Sequence, residues 1–240
     1  MQMMVTCPDR MQYDENYYRK RYEALFDQVT YQIYAAIEHV RRFGDLGISG
    51  KVLEFGCGLG QNIYPFQDRV GFDPGGFARD FCREKGIPVI ASLEEAKPAS
   101  FDYVILSHVL EHVTRPFEVL RAIPPLLTRG GRLIVFLPKE RQIRSYRTPD
   151  ADLWDHHLFA WNFHTMNNLL SEAGFKPIEN RYIRFVEGYR RGHSLFVKSP
   201  RVFLFLGSCS FWLRHLFFPT PLRQFSELRI VAEVTSEKEK

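Results

Sequence analysis

Nine residues, Val-Leu-Glu-Phe-Gly-Cys-Gly-Leu-Gly at positions 52–60, restrict the possible folds of this chain most strongly. Val52, Leu53 and Phe55 are typical of a buried strand, and three glycines follow within five positions. Glycine permits tight turns and lets another group approach the backbone closely. The stretch therefore predicts a buried strand that ends in a tight turn, with a ligand bound against that turn.

Strand-like and helix-like segments alternate along the chain. Apolar patterns predict strands at 51–55, 69–72, 88–91, 101–107 and 132–138, and helices at 17–43, 61–65, 77–85 and 114–123. A nearly continuous apolar run such as 101–107 is typical of a strand that is covered on both faces. The alternation predicts an α/β fold with a Rossmann-like, doubly wound, mostly parallel sheet.

The composition fits one domain spanning residues 1–240. A chain of 240 residues that is 45% hydrophobic can bury a substantial core, and its net charge of +4 is spread along the sequence. No nucleic-acid partner is therefore expected. Four cysteines, at positions 7, 57, 82 and 209, share no CxxC spacing, and the N-terminus has no apolar run. Both features predict reduced thiols and a cytoplasmic location.

The spacing of the glycines discriminates between cofactors. In parallel sheets of this type ligands bind at the carboxyl ends of strands, so the turn at 56–60 is the expected cofactor site. A dinucleotide requires G-x-G-x-x-G, whereas Gly56, Gly58 and Gly60 are spaced G-x-G-x-G. Glu54 would repel a pyrophosphate and favour a cationic ligand. The site is expected to bind a positively charged cofactor rather than a dinucleotide.

The stretch from Glu54 to Gly60 resembles the first motif of the class I S-adenosylmethionine-dependent methyltransferases, an acidic residue followed by G-x-G-x-G. Further matches are Asp73 after the second strand, FDYVILSHVLEHV at 101–113 and LLTRGGRLIVFLP at 126–138. The block HHLFAWNFHTMNNLLSEAGF at 156–175 resembles a bacterial subgroup, the type 11 and type 23 methyltransferases. The resemblance implies a single methyltransferase domain with a seven-stranded sheet whose last strand is antiparallel.

The resemblance also implies S-adenosyl-L-methionine as the cofactor. In this family the turn glycines let the cofactor approach the backbone, and the acidic residue before them orients the loop or the cofactor's amino group. The acidic residue after the second strand holds the ribose, the adenine lies beside the third strand, and the methionine part lies just past the fourth. The expected cofactor-binding residues are Glu54, Gly56, Cys57, Gly58, Gly60, Asp73, Pro74, Ser92, Leu93, Ser107 and His108.

Histidines near the expected mouth of the sheet are the candidate catalytic groups. Methyl transfer is an in-line displacement that is accelerated by aligning donor and acceptor, so a base is optional. A hydroxyl acceptor must nevertheless lose its proton, and an imidazole is the obvious recipient. The candidates are His156, His157 and His108, whereas His112 is expected to cap or pack.

A metal ion is the alternative use of the same region, because His108, Glu111 and His112 present nitrogen and oxygen atoms on neighbouring positions. Quinone and RNA 3′-end methyltransferases resemble this stretch with Glu-x-x-Glu-His, but here His108 replaces the first glutamate. The loss of that carboxylate argues against a magnesium site. No resident metal is expected.

Residues outside the shared motifs determine the acceptor. Strands are expected at 181–186 and 228–234, with an aromatic and basic insertion at 188–226 between them. Its segment VFLFLGSCSFWL at 202–213 is too short to span a bilayer. A lid, a dimer surface, core packing, and peripheral contact with the inner face of the membrane through 201–218 all remain open. A helical cap at 10–45 is expected before the sheet.

These features predict an enzyme that transfers a methyl group to an oxygen or nitrogen of a saccharide, either a small molecule or a lipid-linked, glycolipid-type acceptor. The basic flanks of the insertion favour a lipid-linked acceptor. One alternative is a quinone precursor or another lipophilic small molecule, for which the aromatic insertion would form the binding wall. The other alternative is a cofactor-binding interaction module without catalytic activity. A homodimer is compatible with each.

Overall fold

Seven strands form one sheet in the structure, a computed structural model that describes residues 13–139, 157–184 and 226–235. The strands are β1 (Val52–Phe55), β2 (Arg69–Phe72), β3 (Val89–Ile90), β4 (Phe101–Ser107), β5 (Leu127–Pro138), β6 (Phe175–Arg184) and β7 (Ser226–Val234). Their order across the sheet is β3-β2-β1-β4-β5-β7-β6. β1 to β5 pair in parallel, and β7 is antiparallel to β5 and β6. The predicted sheet, mostly parallel with an antiparallel last strand, is confirmed.

Helices precede and connect these strands. Within the described ranges they are α1 (Glu15–Tyr22), α2 (Gln28–Phe43), α3 (Gly76–Glu84), α4 (Pro116–Arg121) and α5 (Phe163–Glu172). The single helix predicted at 17–43 is divided, because the side chain of Asp27 accepts a hydrogen bond from Thr30 N at 2.8 Å and starts α2 anew. The helix predicted at 61–65 is instead a series of turns, closed by bonds such as Ile63 N to Gly60 O at 3.2 Å.

Parallel pairing on both sides of β1 brings several strand ends to one edge of the sheet. Glu54 lies beside Gly71 of β2 and Ile105 of β4 in the register. The chain therefore leaves β1, β2 and β4 at the same edge. The glycine turn follows β1 there, Asp73 follows β2, and Ser107 ends β4. This is the edge at which open parallel sheets bind ligands.

Apolar side chains cover both faces of the central strands. Along β4, Val104 and Leu106 belong to the cluster on one face, whereas Ile105 belongs to the cluster on the other. Val135 and Phe136 of β5 divide in the same way. All five side chains are inaccessible to solvent. Because such interiors are close-packed, the strand ends hold the side chains at the edge in fixed relative positions.

Aromatic residues of α1 and α2 pack against the glycine turn. Tyr18 is buried and stacks on Phe77 of α3, with ring centroids 5.7 Å apart. Tyr31 is fully buried, and its hydroxyl donates a hydrogen bond to Leu59 O at 2.8 Å. The described part of the helical cap expected at 10–45 therefore contacts the turn directly.

Some expectations concern residues outside the described ranges. The insertion at 188–226 lies outside them up to the start of β7, and so does the segment 201–218. The organisation of 1–240 as one domain with a cap and an insertion stays a prediction. In the part of the chain that the structure describes, no helix is both long and apolar enough to cross a membrane.

Replacing Gly60 by alanine is expected to destabilise the fold more than replacing Gly130. Both glycines have positive φ, 74° and 82°, so each substitution should cost about 1–2 kcal/mol of backbone strain. At Gly60 the new methyl group would also lie 2.5 Å from Ile87 Cδ1 and 3.0 Å from Cys82 Sγ, whereas Gly130 faces open space. Overpacking should add about 1–3 kcal/mol at Gly60. Urea denaturation measures the free energy of unfolding of both variants. Equal losses of this free energy would contradict the tight packing of the turn.

Candidate active site

The glycine turn is held between the ends of β1 and β2 by its own backbone. Gly56 N and Cys57 N both donate hydrogen bonds to Phe72 O, at 2.8 and 3.0 Å. Gly56, Gly58 and Gly60 have φ values of 72°, 52° and 74°, a left-handed region that other residues rarely adopt. The buried Cys57 side chain fills space beneath the turn. A β-carbon would lie 2.8 Å from Val109 Cγ2 at Gly56 and 2.5 Å from Ile87 Cδ1 at Gly60, so the packing around the turn requires glycine at both positions.

Asp73 ties the end of β2 to the glycine turn. Its carboxylate oxygens accept hydrogen bonds from Gly58 N at 2.9 Å and from Gly75 N at 2.8 Å. Burial raises the pKa of Asp73, and the two backbone hydrogen bonds oppose that rise. Each oxygen retains a further lone pair, so Asp73 can accept ligand hydroxyls without releasing the turn. Pro74, the next residue, is exposed.

Glu54 is fully buried at the end of β1 and is only half satisfied. Its Oε1 accepts a hydrogen bond from Asn62 Nδ2 at 2.6 Å, but Oε2 has no hydrogen-bonding partner among the described residues. Burial raises the pKa of Glu54 to about 8, against the opposing effect of the Asn62 hydrogen bond. A buried carboxylate oxygen without a donor is where a cationic ligand group would be stabilised. Asn62 is not among the cofactor-binding residues expected from the sequence, although it lies only two residues after the last turn glycine.

Ser92 and Leu93 follow β3, two strands away from β1. The Ser92 hydroxyl accepts a hydrogen bond from Glu94 N at 3.2 Å and caps a short turn. Leu93 is partly buried and packs against the larger apolar cluster. Both residues lie at the same sheet edge as Asp73, and their contact with an adenine stays a prediction.

Arg42 of α2 connects the cofactor side of the site to β7. Its Nη1 donates hydrogen bonds to Asn62 Oδ1 at 3.1 Å and to Ser107 Oγ at 2.8 Å. Its Nη2 donates to Glu227 Oε1 at 2.6 Å. Arg42 is 5% exposed and Glu227 is 1% exposed, so the pair is shielded from solvent. No pattern in the sequence marks either residue, because they lie in separate elements at opposite ends of the chain.

His108 lies just past β4 with both ring nitrogens bonded to carboxylates. Nδ1 is 3.1 Å from Glu111 Oε1, and Nε2 is 3.0 Å from Glu227 Oε1. Burial disfavours the charged imidazole, but these two hydrogen bonds outweigh it and raise the pKa of His108 to about 9. A ring that is already protonated at neutral pH cannot take a proton from a substrate. The geometry therefore disfavours the expected role of His108 as a base.

His157 lies against Glu111 because the backbone after it is anchored there. Leu158 N and Phe159 N donate hydrogen bonds to Glu111 O, at 2.7 and 3.3 Å. One side-chain nitrogen or oxygen from each of Glu111, His112 and His157 lies within 4.8 Å of the others. Glu111 is fully buried, and its Oε2 has no hydrogen-bonding partner among the described residues. His156, the other loop candidate, lies outside the described residues.

A carboxylate-rich magnesium site does not fit this arrangement. Mg²⁺ is bound chiefly by oxygen atoms, and the group of Glu111, His112 and His157 offers one carboxylate beside two imidazoles. His108, which replaces the first glutamate of the Glu-x-x-Glu-His pattern, has both nitrogens bonded to carboxylates. The expectation that the protein holds no resident metal stays a prediction.

Solved structures share the fold of this chain at low sequence identity. A Thermotoga maritima S-adenosylmethionine-dependent methyltransferase, described as a possible histamine N-methyltransferase, superposes with a TM-score of 0.57 and 17% identity, over 92% of this chain and 99% of that chain. Phosphoethanolamine N-methyltransferase 2 of Haemonchus contortus was crystallised with S-adenosyl-L-methionine. It superposes with a TM-score of 0.55 and 16% identity, over 92% of this chain and 59% of that chain.

Curated relatives match part of the chain at higher identity. A ubiquinone biosynthesis O-methyltransferase of Aeromonas salmonicida is 34% identical over 104 residues, which is 37% of this chain and 44% of the relative. The protein of the same name from Colwellia psychrerythraea is 33% identical over 109 residues, 42% of this chain and 43% of the relative. The chain thus aligns with less than half of the length of these relatives.

A family profile covers most of the chain. The profile of methyltransferase family 23, described as a methyltransferase domain, matches residues 27–180. The match begins just before α2 and ends within β6, so it includes the glycine turn, Asp73 and the stretch from His108 to His157. The chain therefore belongs to the methyltransferase domain family, as its motifs predict.

Proposed function

We propose that this protein transfers a methyl group from S-adenosyl-L-methionine to a hydroxyl oxygen of a quinone precursor or a similar lipophilic phenol. The observation that carries the proposal is a pair of buried carboxylates at neighbouring strand ends. Glu54 has one oxygen with no hydrogen-bonding partner in the described part of the chain, and Asp73 accepts a hydrogen bond from the glycine turn. A cationic ligand with ribose hydroxyls matches both carboxylates. The cofactor in the Haemonchus contortus structure supports the same assignment.

The residues at the sheet edge have complementary roles toward this cofactor. Glu54 Oε2 would accept a hydrogen bond from the ammonium group of the methionine part, and Asp73 would accept from the ribose. The glycine turn would admit the cofactor to the backbone, with Ser92 and Leu93 beside the adenine. Ser107 and His108 would contribute the backbone past β4. A cationic ligand favours the ionised form of Glu54, whereas a dinucleotide phosphate would oppose it.

The relatives favour the alternative acceptor over the saccharide that the sequence analysis placed first. Both described relatives carry the name ubiquinone biosynthesis O-methyltransferase, and no relative described above carries the name of a saccharide methyltransferase. We therefore propose a phenolic hydroxyl on a lipophilic quinone precursor. Membrane contact through 201–218, homodimer formation and a cytoplasmic location stay predictions.

The chemistry needs an acceptor oxygen that has lost its proton. Bound S-adenosylmethionine supplies a methyl group on a positively charged sulfur, which leaves as a neutral thioether. His157 would take the hydroxyl proton while the oxygen forms its bond to the methyl carbon. The Glu111 carboxylate beside it would stabilise the imidazolium that results. The side chains of the cluster thus hold the proton, and the sheet edge aligns the two reactants.

Asp73→Asn is expected to weaken the binding of S-adenosylmethionine by about 1.5–3 kcal/mol, the typical loss for a hydrogen bond to a charged group. Isothermal titration calorimetry measures this loss, with NAD as the control ligand. Asp68→Asn is the matched control variant, because the Asp68 side chain lies just before β2 and is 62% exposed. It should bind as the wild type does. Absence of cofactor binding by folded wild type would overturn the proposed function and favour an interaction module.

Cofactor affinity is expected to rise from pH 6 to pH 7, by up to about tenfold per unit. The pKa of Glu54 is about 8 without ligand, so the group is protonated in this range and must release its proton to face a cation. The cofactor's own amino group stays charged between these pH values. Calorimetry at both pH values should give the same cofactor affinity for Glu54→Gln. The control Glu84→Gln, at an exposed position, should show the same rise in affinity as wild type. A flat wild-type profile would contradict the role of Glu54.

His157→Ala is expected to lower the rate of methyl transfer by about 10²–10⁴, the usual contribution of general base catalysis, without changing cofactor affinity. The assay follows the labelled methyl group into a prenylated dihydroxybenzene, with a lipid-linked saccharide as the comparison acceptor. His164→Ala is the control, because His164 lies exposed on α5. An unchanged rate in His157→Ala would exclude it as the base, and transfer to the saccharide alone would restore the first expectation.

A further inference from the structure

A chain of charged groups runs from α2 through β7 to the acceptor side of the site. Arg42, Glu227 and Glu111 in it are buried, and the His108 side chain is 33% exposed. Arg42 donates to Glu227 at 2.6 Å, Glu227 Oε1 lies 3.0 Å from His108 Nε2, and His108 Nδ1 lies 3.1 Å from Glu111 Oε1. Arg41 Nη2 contacts the second oxygen of Glu227 at 3.1 Å. Neither Arg42 nor Glu227 has a role in the chemistry described above.

Apart from His112 and His157, which lie against Glu111, the charges of this group balance when His108 carries a proton. Its carboxylates are Glu38, Glu111 and Glu227, and its guanidinium groups are Arg41 and Arg42. Three negative charges therefore meet two positive ones, and an imidazolium supplies the third. Glu54, linked to Arg42 through Asn62, adds no charge while it is protonated. A buried cluster with a net charge would be costly, so the neutral count favours the cation.

We infer that Glu227 is a positioning residue for methyl transfer. It holds His108 between two carboxylates, its own and that of Glu111. His108 in turn fixes the Glu111 side chain toward His112 and His157. Oε1 of Glu111 is bonded to His108, which leaves Oε2 for the acceptor side. Through Glu111, the position of His157 relative to the acceptor depends on a residue of β7. The inference rests on the proposed function for its catalytic consequence only.

Two features distinguish this cluster from a purely structural ion pair. His108 has a φ of 55°, a backbone conformation that is unfavourable for a residue with a side chain and is typical of functional sites. Glu111, at the end of the chain of contacts, is fully buried, and its Oε2 has no hydrogen-bonding partner within 13–139, 157–184 and 226–235. By contrast, Arg229 of the same strand β7 bonds to Asp45 at 2.7 Å and to Glu179 at 2.6 Å, and its contacts lead to no candidate catalytic residue.

Arg42 divides the cluster into two branches with different expected effects. One branch runs through Asn62 to Glu54 and serves the cofactor. The other runs through Glu227 to His108 and serves the acceptor. Changes in the first branch should alter cofactor affinity, and changes in the second should alter the rate of transfer. If the cluster had only a structural role, changes in either branch would lower cofactor affinity, transfer rate and thermal stability together.

The first test is the NMR titration of the His108 imidazole in ¹⁵N-labelled protein, with its signal assigned from the loss in His108→Gln. In wild type the ring should stay protonated through pH 8. In Glu227→Gln it should titrate at least one unit lower, because one of its two carboxylate partners is then neutral. A His108 ring that titrates identically in both proteins would overturn the inference. This measurement needs no acceptor, so it stands even if the proposed function fails.

The second test separates cofactor affinity from transfer rate. Glu227→Gln should lower kcat about 10- to 100-fold while the cofactor Kd stays within about twofold, since displacement of a reacting group by an ångström has effects of that size. Asn62→Ser should weaken cofactor binding and leave kcat nearly unchanged. Glu179→Gln, which removes one of the two carboxylate partners of Arg229, is the matched control and should change neither kcat nor the cofactor Kd. If Glu227→Gln does not fold, Glu227→Asp replaces it, with a smaller loss of kcat and a smaller shift in the titration of His108.

An unchanged kcat in Glu227→Gln would contradict the positioning role. Parallel losses of kcat, cofactor affinity and melting temperature would also contradict it, because that pattern belongs to a structural ion pair. If wild type binds the cofactor but methylates no acceptor, the proposed function fails while the NMR titration still decides whether Glu227 controls His108.

Discussion

The parallel pairing of β1 with both β2 and β4 is the constraint on which the site depends. Hydrogen bonds on both sides of β1 make three strands end at one edge, so the glycine turn, Asp73 and Ser107 become neighbours through the backbone alone. Apolar side chains on both faces keep this register, because a slip by one residue would turn each side chain to the opposite face. Asp73 then fastens the turn through Gly58 N at 2.9 Å.

Several charged side chains are buried between α2 and the sheet, and their contribution to folding stability does not explain why they are buried. An ion pair loses about as much hydration on burial as it gains in attraction. Arg42, Glu227 and Glu111 are nevertheless 5%, 1% and 0% exposed. Arg42 contacts Glu227, and His108 links Glu227 to Glu111 past the end of β4. β4 and the strand before Asp73 lie on opposite sides of β1. The proposed positioning role gives these buried charges a function in orienting the reacting groups.

Local patterns account for the parts of the fold that the sequence predicts well. The strands predicted at 69–72 and 101–107 coincide with β2 and β4, since an apolar run bounded by turn residues specifies a strand within its own length. The family motifs likewise place the expected cofactor site at the edge where β1, β2 and β4 end. A single side chain, Asp27, divides the helix predicted at 17–43. The charge network cannot be predicted from local sequence patterns, because the contact between Arg42 and Glu227 joins residues 185 positions apart.

The most direct test of the account is a crystal structure of the protein with S-adenosylhomocysteine. The account predicts the ribose hydroxyls within about 2.6–3.2 Å of the Asp73 carboxylate and the amino group within the same distance of Glu54 Oε2. The thioether sulfur should face the side of the site that holds Glu111 and His157. A ligand bound elsewhere, or one that leaves Glu54 Oε2 without a donor, would contradict the assignment of this edge as the site of methyl transfer.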